Sequence, residues 1–210
     1  MAAYGNSVFI NCPFDKDFEP ILQSILFCVI YLGFDPRISL ASNDSGDIRL
    51  PKIQKLIENS RYSIHDLSRC KSKAADEYFR LNMPFELGMD YFCRQRFKPT
   101  RPKKSILVLE KEPFRYQAAL SDLSGCDIKH HKDEPEMAIE KVREWLVVEA
   151  GANSVGASKI KGGYIDFQEW NYEKQIADGF SEEDIQKYPT AELLRAMKKW
   201  MKLGKPASAN

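Results

Sequence analysis

The stretch "SVFINCPFD", Ser7 to Asp15, is a short apolar run that ends in a proline-containing turn. This pattern predicts a buried first β-strand. In the following segment, residues 17–34, apolar side chains recur at helical spacing up to Gly33, a residue that favours the end of a helix. A buried strand followed directly by a helix is the repeating unit of α/β folds, so the first 34 residues favour that class.

The same alternation continues along the chain. We expect further strands at residues 36–41, 61–69, 104–110 and 126–131, and further helices beginning at Pro51 and Asn82 and spanning residues 115–125 and 134–148. Five such repeats predict a flavodoxin-like three-layer α/β sandwich with a five-stranded parallel sheet. Ligands then bind at the carboxyl ends of the strands.

The composition changes after Gly151. We expect an α/β domain over residues 1–150, a small-residue linker over 151–163 and a helical C-terminal appendage over 164–210. The appendage has a capping-box pattern at Ser181 and an apolar helix face that includes Trp200. Such an appendage either braces the main domain or binds a partner.

The charge balance and the cysteines leave several classes of partner and site without support. Lys plus Arg (31) nearly equals Asp plus Glu (30), so no overall field favours nucleic acid or an anionic membrane. Five widely spaced cysteines without a CxxC pair indicate reduced thiols, and His130 and His131 lack a third ligand at suitable spacing, so we expect no metal site. The longest apolar stretch, residues 25–34, is too short to span a bilayer and no signal-peptide pattern is present, which favours a cytoplasmic location.

The motifs of three common enzyme and nucleotide-binding classes are absent from the sequence. The chain contains no GxGxxG, no GxxxxGK[ST] and no GxSxG. Their absence argues against a Rossmann oxidoreductase, a P-loop protein and a hydrolase with a nucleophile elbow.

The stretch "NMPFELGMDYF", residues 82–92, predicts a helix that Asn82 caps and for which Pro84 is preorganised. Its apolar residues at helical spacing predict a buried stripe: Phe85, Gly88, Met89, Phe92 and Cys93. Glu86 is then expected in the first turn, at the rim of the core. The alternative interpretation is that Glu86 only compensates the helix dipole, an effect of about 0.3–1 kcal/mol.

A parallel sheet brings the turn after strand one, the end of strand three and the start of the following helix to one edge. The candidate site residues at this edge are Asn11, Cys12, Asp15, Asp66, Ser68, Asn82 and Glu86. Several acceptors around a carboxylate suit the hydroxyls of a sugar, while Arg37, Arg49 and Arg69 remain available for phosphates.

Two of the candidates, and the neighbouring His65, also have structural interpretations. Asp66 equally suits the cap of a turn. Cys12 has no evident base in the sequence and is better explained as a small apolar residue than as a nucleophile. His65 lies within an apolar strand, where a histidine is more often structural than catalytic.

Together, "VFINCPFD", "SNDSGDIRL" before "PKIQKLIENS", "YSIHDLSR" and "NMPFELGMDYF" resemble a bacterial Toll/interleukin receptor (TIR)-like domain over residues 7–147. The combination of "DLS" with an "ExG" helix is also similar to nucleoside 2-deoxyribosyltransferases, whose fold is related. The resemblance implies that Glu86 is the carboxylate that breaks the bond between nicotinamide and ribose. NAD is then a substrate, and no cofactor is required.

Cleavage of an N-glycosidic bond develops positive charge on the sugar, which a nearby carboxylate stabilises or captures. The resemblance further implies a role in anti-phage defence, switched on by an activating protein, a signal nucleotide or self-assembly. For assembly it implicates the turn-forming residues Asp44, Ser45, Gly46 and Asp47. Two alternatives stay open: a nucleoside or nucleotide N-glycosyl-transferring or hydrolysing enzyme, and a non-catalytic nucleotide-sensing or scaffold module.

Overall fold

A five-stranded parallel sheet in the order β2-β1-β3-β4-β5 forms the centre of the computed structural model, which describes residues 4–41, 44–69, 81–96 and 102–207. The strands are β1 (Ser7–Asn11), β2 (Asp35–Arg37), β3 (Tyr62–Asp66), β4 (Ser105–Glu110) and β5 (Lys129–His130). Every residue of β1 and β3 is buried, as expected for the central strands of a sheet covered on both faces.

Seven α-helices occur in the described part of the chain: α1 (Glu19–Tyr31), α2 (Arg49–Glu58), α3 (Asn82–Gln95), α4 (Pro135–Ala150), α5 (Ala157–Ala177), α6 (Glu182–Gln186) and α7 (Thr190–Lys202). Helices α1 and α4 pack together on the main hydrophobic core. Helices α2 and α3 pack together over a smaller cluster around Phe9. The predicted flavodoxin-like three-layer α/β sandwich is confirmed.

Two predicted elements differ locally. Strand β2 ends at Arg37, and Ser39–Ala41 forms a 3-10 helix where the strand was expected to continue. The predicted helix over residues 115–125 is instead two short 3-10 helices, Arg115–Ala118 and Ser121–Leu123. Leu120 separates them with φ −134° and ψ 62°, which no helix accommodates.

The prediction of a linker over residues 151–163 is wrong for its second half, because α5 begins at Ala157. Within α5, buried apolar side chains recur at helical spacing at Ile160, Tyr164 and Phe167. The ring of Phe27 in α1 lies 5.2 Å from Tyr164 and 5.7 Å from both Phe167 and Trp200, between ring centroids. The appendage therefore braces the main domain through a shared aromatic core.

Some predictions fall outside the described residues. These concern Cys70 and the start of the "SNDSGDIRL" loop, residues 42–43. Cys12, Cys28, Cys93 and Cys126 are thiols, as expected. None of the helices within the described ranges combines the length and the apolar character that a membrane span requires.

Candidate functional site

The inward face of α3 is not the predicted one. Phe85 and Phe92 are 58% and 61% exposed, whereas the side chains that face the sheet are Met83, Glu86, Leu87 and Asp90. Glu86 is only 4% exposed, so it lies inside the core rather than at its rim. The prediction failed because an apolar pattern normally identifies the buried face, and here two carboxylates four residues apart occupy that face.

The start of α3 also differs from the expectation. The helix begins with Asn82 as its first residue, Leu81 holds the N-cap position, and no side chain caps the helix. Asn82 is exposed. Pro84 lies in the first turn as predicted, but Glu86 is the fifth residue and lies beyond that turn. Since the helix dipole acts mainly within the first turn, dipole compensation does not explain Glu86.

Glu86 forms an ion pair with Arg49, the first residue of α2. Arg49 donates from Nη2 to Glu86 Oε1 over 3.2 Å. The Glu86 side chain is 5% exposed and that of Arg49 is 50% exposed. Burial raises the pKa of Glu86, and the positive charge and hydrogen bond of Arg49, together with His65, offset only part of this rise. The site thus holds a poorly solvated carboxylate.

Asp90, one turn further along α3, is bound much more completely. His65 Nε2 lies 3.0 Å from Asp90 Oδ2, and Lys104 Nζ lies 3.0 Å from Asp90 Oδ1. Lys104 also donates to the carbonyls of Ile57, over 2.6 Å, and Ser60, over 2.5 Å. Burial raises the pKa of Asp90, but His65 and Lys104 outweigh this effect and lower the pKa overall.

Asn11, the last residue of β1, connects this network to the start of α3. Its Nδ2 donates to the carbonyl of Met83 over 3.0 Å and lies 3.0 Å from His65 Nδ1. Because Nδ2 is a donor, His65 Nδ1 accepts from it, and Nε2 is the ring nitrogen that donates to Asp90 Oδ2. Asn11 therefore positions α3 three residues before Glu86.

Asp66 and Ser68 lie together at the end of β3, with His131 after β5. His131 Nε2 is 3.0 Å from both Asp66 Oδ2 and Ser68 Oγ. His131 Nδ1 accepts from the backbone N–H of Asp133 over 3.0 Å. In a Ser-His-Asp triad the serine and the carboxylate bind opposite ring nitrogens, whereas here they share one. All three side chains are buried, so this cluster ties strand ends together.

The turn after β1 is held by an ion pair. Arg69 donates from Nε to Asp15 Oδ2 over 3.0 Å and from Nη2 to Asp15 Oδ1 over 2.8 Å. Cys12 is fully buried, and burial, with the negative charge of Asp66, raises the pKa of its thiol well above its usual range. The thiolate that a nucleophile requires is therefore disfavoured.

The residues predicted for assembly lie at the surface. Asp44, Ser45, Gly46 and Asp47 are all exposed, and the backbone N–H of Gly46 donates to Asp44 Oδ1 over 2.9 Å. This short turn leads directly into α2, so it precedes Arg49 by two residues.

The structure distributes the predicted candidates over several groups of contacts. Asp66 and Ser68 form one cluster, Asp15 pairs with Arg69, and Asn11 is linked through Met83 to the helix that carries Glu86. A cavity of about 820 Å³ lies between α2 and α3, and its described lining includes Phe85, Met89 and Phe92 but not Glu86. The predicted apolar stripe therefore lines a surface cavity.

Sequence reasoning missed Asp90 and Lys104, and it did not pair Arg49 with Glu86. The sequence does place Asp90 on the same helix face as Glu86, because the two residues are four positions apart. Lys104 and Arg49 come from distant segments of the chain. Their pairing with Asp90 and Glu86 therefore could not be predicted from the local sequence pattern.

Comparisons of this chain with protein-family models, with curated proteins and with solved structures give no match. The TIR-like resemblance thus stays a prediction, and the function is argued from the site's geometry.

Proposed function

We propose that this chain hydrolyses NAD at the bond between nicotinamide and ribose, with Glu86 as the catalytic carboxylate. The observation that carries the proposal is the buried position of Glu86, on the helix that follows β3, combined with its raised pKa. Topology supports the same place, because β1 and β3 flank the point where the order of the parallel strands reverses.

The chemistry fits a single carboxylate. Departure of nicotinamide leaves positive charge on the ribose, and a poorly solvated carboxylate stabilises that charge more strongly than one in water. Nicotinamide leaves as a neutral molecule, so no strong general acid is needed. A raised pKa also makes ionised Glu86 a better base toward an attacking water molecule.

The test is incubation of the purified protein with NAD, with deoxynucleosides and with nucleotides, followed by chromatography for free nicotinamide or free base. Glu86→Gln should fold and should lower turnover by at least about 10²–10³-fold, because the amide cannot offset the developing charge. Glu136→Gln is the matched control, since Glu136 is exposed in the first turn of α4. Undiminished nicotinamide release by folded Glu86→Gln protein contradicts the proposal.

Release of base from deoxynucleosides but not of nicotinamide from NAD identifies the nucleoside N-glycosyl-transferring or hydrolysing alternative. A second candidate from another class is a non-catalytic nucleotide-sensing or scaffold module. One observation favours it: Arg49 is bound to the Glu86 carboxylate, which reduces the negative charge available to a substrate. Nucleotide binding without release of any base identifies this candidate.

Self-assembly and a role in cytoplasmic anti-phage defence belong to the same proposal. The exposed turn at residues 44–47 offers a contact surface two residues from Arg49, so a neighbouring subunit that binds it would act next to the site. Specific activity should then rise with protein concentration. Gly46→Pro removes the N–H that binds Asp44 and should reduce that rise, whereas constant specific activity over about a hundredfold dilution contradicts assembly.

A further inference from the structure

Arg49 binds Glu86 through a single guanidinium nitrogen. The contact joins Nη2 to Oε1 over 3.2 Å, longer than the roughly 2.7–2.9 Å typical of a charge-assisted N–H to carboxylate bond. The other contact of the guanidinium, from Nη1 to Ser39 Oγ, is 3.5 Å long. Half of the Arg49 side chain is exposed. This pair is therefore loose on the arginine side, although the carboxylate is buried.

Other arginines of the site region are held more firmly. Arg69 uses two nitrogens on both oxygens of Asp15. Arg115 binds both oxygens of Glu110 and also donates to the carbonyl of Ser68 over 2.7 Å. Of these three cations, Arg49 is the one that contacts Glu86 and the one with most capacity to bind a second anion.

A phosphate suits that capacity. The guanidinium fork matches two phosphate oxygens and forms stronger bonds to them than to a single carboxylate oxygen. While Arg49 stays on Glu86, its positive charge opposes the positive charge that develops on the ribose. An incoming anion that attracts Arg49 therefore both anchors the substrate and frees the carboxylate.

We propose that Arg49 is the phosphate-recognition residue of the Glu86 site, and that it exchanges Glu86 for a phosphate of the substrate. This inference rests on the proposed function and specifies its substrate class, nicotinamide nucleotides rather than nucleosides. Arg49 then acts as a selectivity residue, because a nucleoside leaves the Arg49–Glu86 pair in place.

The test uses three substrates that share the scissile bond: NAD, nicotinamide mononucleotide and nicotinamide riboside. The wild-type protein should cleave the two phosphate-bearing substrates with a kcat/KM at least about 10- to 100-fold above that for the riboside, the range that loss of charged hydrogen bonds gives. Arg49→Gln should bring this ratio close to one, and Arg49→Lys should retain part of it. The control is Arg195→Gln, an exposed arginine on α7, and it should keep the wild-type ratio.

An equal loss on all three substrates in Arg49→Gln, or an unchanged ratio, overturns the inference. A wild-type protein that releases no nicotinamide from any substrate refutes the proposed function instead, and Arg49 is then judged by binding alone. Inorganic pyrophosphate and ADP-ribose should raise the melting temperature of the wild-type and Arg195→Gln proteins more than that of Arg49→Gln. Equal shifts in all three proteins overturn the inference by this second route.

Discussion

Glu86 and Asp90 lie one helical turn apart on the same buried face of α3, and their pKa values shift in opposite directions. Burial raises the pKa of both carboxyls. At Asp90 the buried cation Lys104 and the hydrogen bond from His65 outweigh that effect, whereas at Glu86 the half-exposed Arg49 does not. The difference shows that the partners, more than the burial, decide what a carboxylate in this core does.

The two environments suit different tasks. A carboxylate that is hydrogen-bonded to a histidine through one oxygen and lies beside a buried ammonium group through the other, as Asp90 does, fixes the helix against β3 and the start of β4. A buried carboxylate with one loose partner, as Glu86 has, retains charge that a substrate can use. Neighbouring titratable groups whose pKa values are pushed apart are a recurrent feature of active sites, which is why we propose Glu86 as the catalytic carboxylate.

The largest effect is expected for Asp90→Asn. The amide leaves Lys104 buried without its counter-charge, and breaking a buried pair in this way costs about 3–5 kcal/mol of unfolding free energy. Urea denaturation at neutral pH measures the loss. The cost should shrink in acid, because the stability from a carboxyl with a lowered pKa is present above the unfolded value, about 3.9, and is lost as the pH falls through the folded pKa.

The control is Asp178→Asn, which removes an exposed ion pair with Lys174 and should change stability by less than about 1 kcal/mol. Equal effects of the two substitutions would show that Asp90 is not the anchor of α3.

A smaller loss is expected for Asn11→Ala, which acts on both carboxylates at once. It leaves the carbonyl of Met83 and Nδ1 of His65 buried without their shared donor, at a cost of about 1–3 kcal/mol. Thermal denaturation measures the change, and Asn6→Ala, which removes an exposed bond to the carbonyl of Gly33, should cost less. Equal costs for both substitutions would rule out the link between β1 and α3.

The sheet was predictable from sequence because its strands are short apolar runs bounded by turns, as "SVFINC" and "KSILVLE" show. The position of Glu86 after β3 followed from that topology. The orientation of α3 was not predictable by the same rule, because Phe85 and Phe92 look like core residues and face outward. Arg49 of α2, His65 of β3 and Lys104 before β4 make the opposite face suitable for burial, and those contacts are long-range.

In the C-terminal region the error is the opposite one, because a segment that looks like a flexible linker is packed in the structure. The glycines of residues 151–163 suggested a linker, yet Gly163 lies within α5, where a Cβ atom would come within 2.9 Å of the Tyr31 ring. Glycine there permits close packing of α5 on α1 rather than flexibility. Composition alone does not distinguish the two uses.

Arg49→Ala should lower the free energy of unfolding by less than Asn11→Ala does. Ion pairs with a well-exposed partner contribute about 0.2–1 kcal/mol, and the Arg49 side chain is half exposed. Lys104→Ala is the informative counterpart, since it leaves the buried Asp90 without its cation and should cost several-fold more in the same urea titration. If Arg49→Ala matched Lys104→Ala, the Arg49–Glu86 pair would be a structural anchor and the contrast between the two carboxylates would fail.

The smallest effect, and the one whose sign matters most, is the stability change in Glu86→Gln. A carboxyl whose pKa is raised in the folded protein costs nothing when it is protonated in both states, below the unfolded value of about 4.3. As the pH rises through the folded pKa, the ionised group destabilises the native state. Removing the charge should therefore make Glu86→Gln increasingly stable relative to wild type between acid and neutral pH. Unfolding free energies of both proteins across this range, with Glu136→Gln as the exposed control, give the slope. A variant that instead loses stability toward neutral pH would show that ionised Glu86 stabilises the fold through Arg49, and the carboxylate would then be an anchor like Asp90.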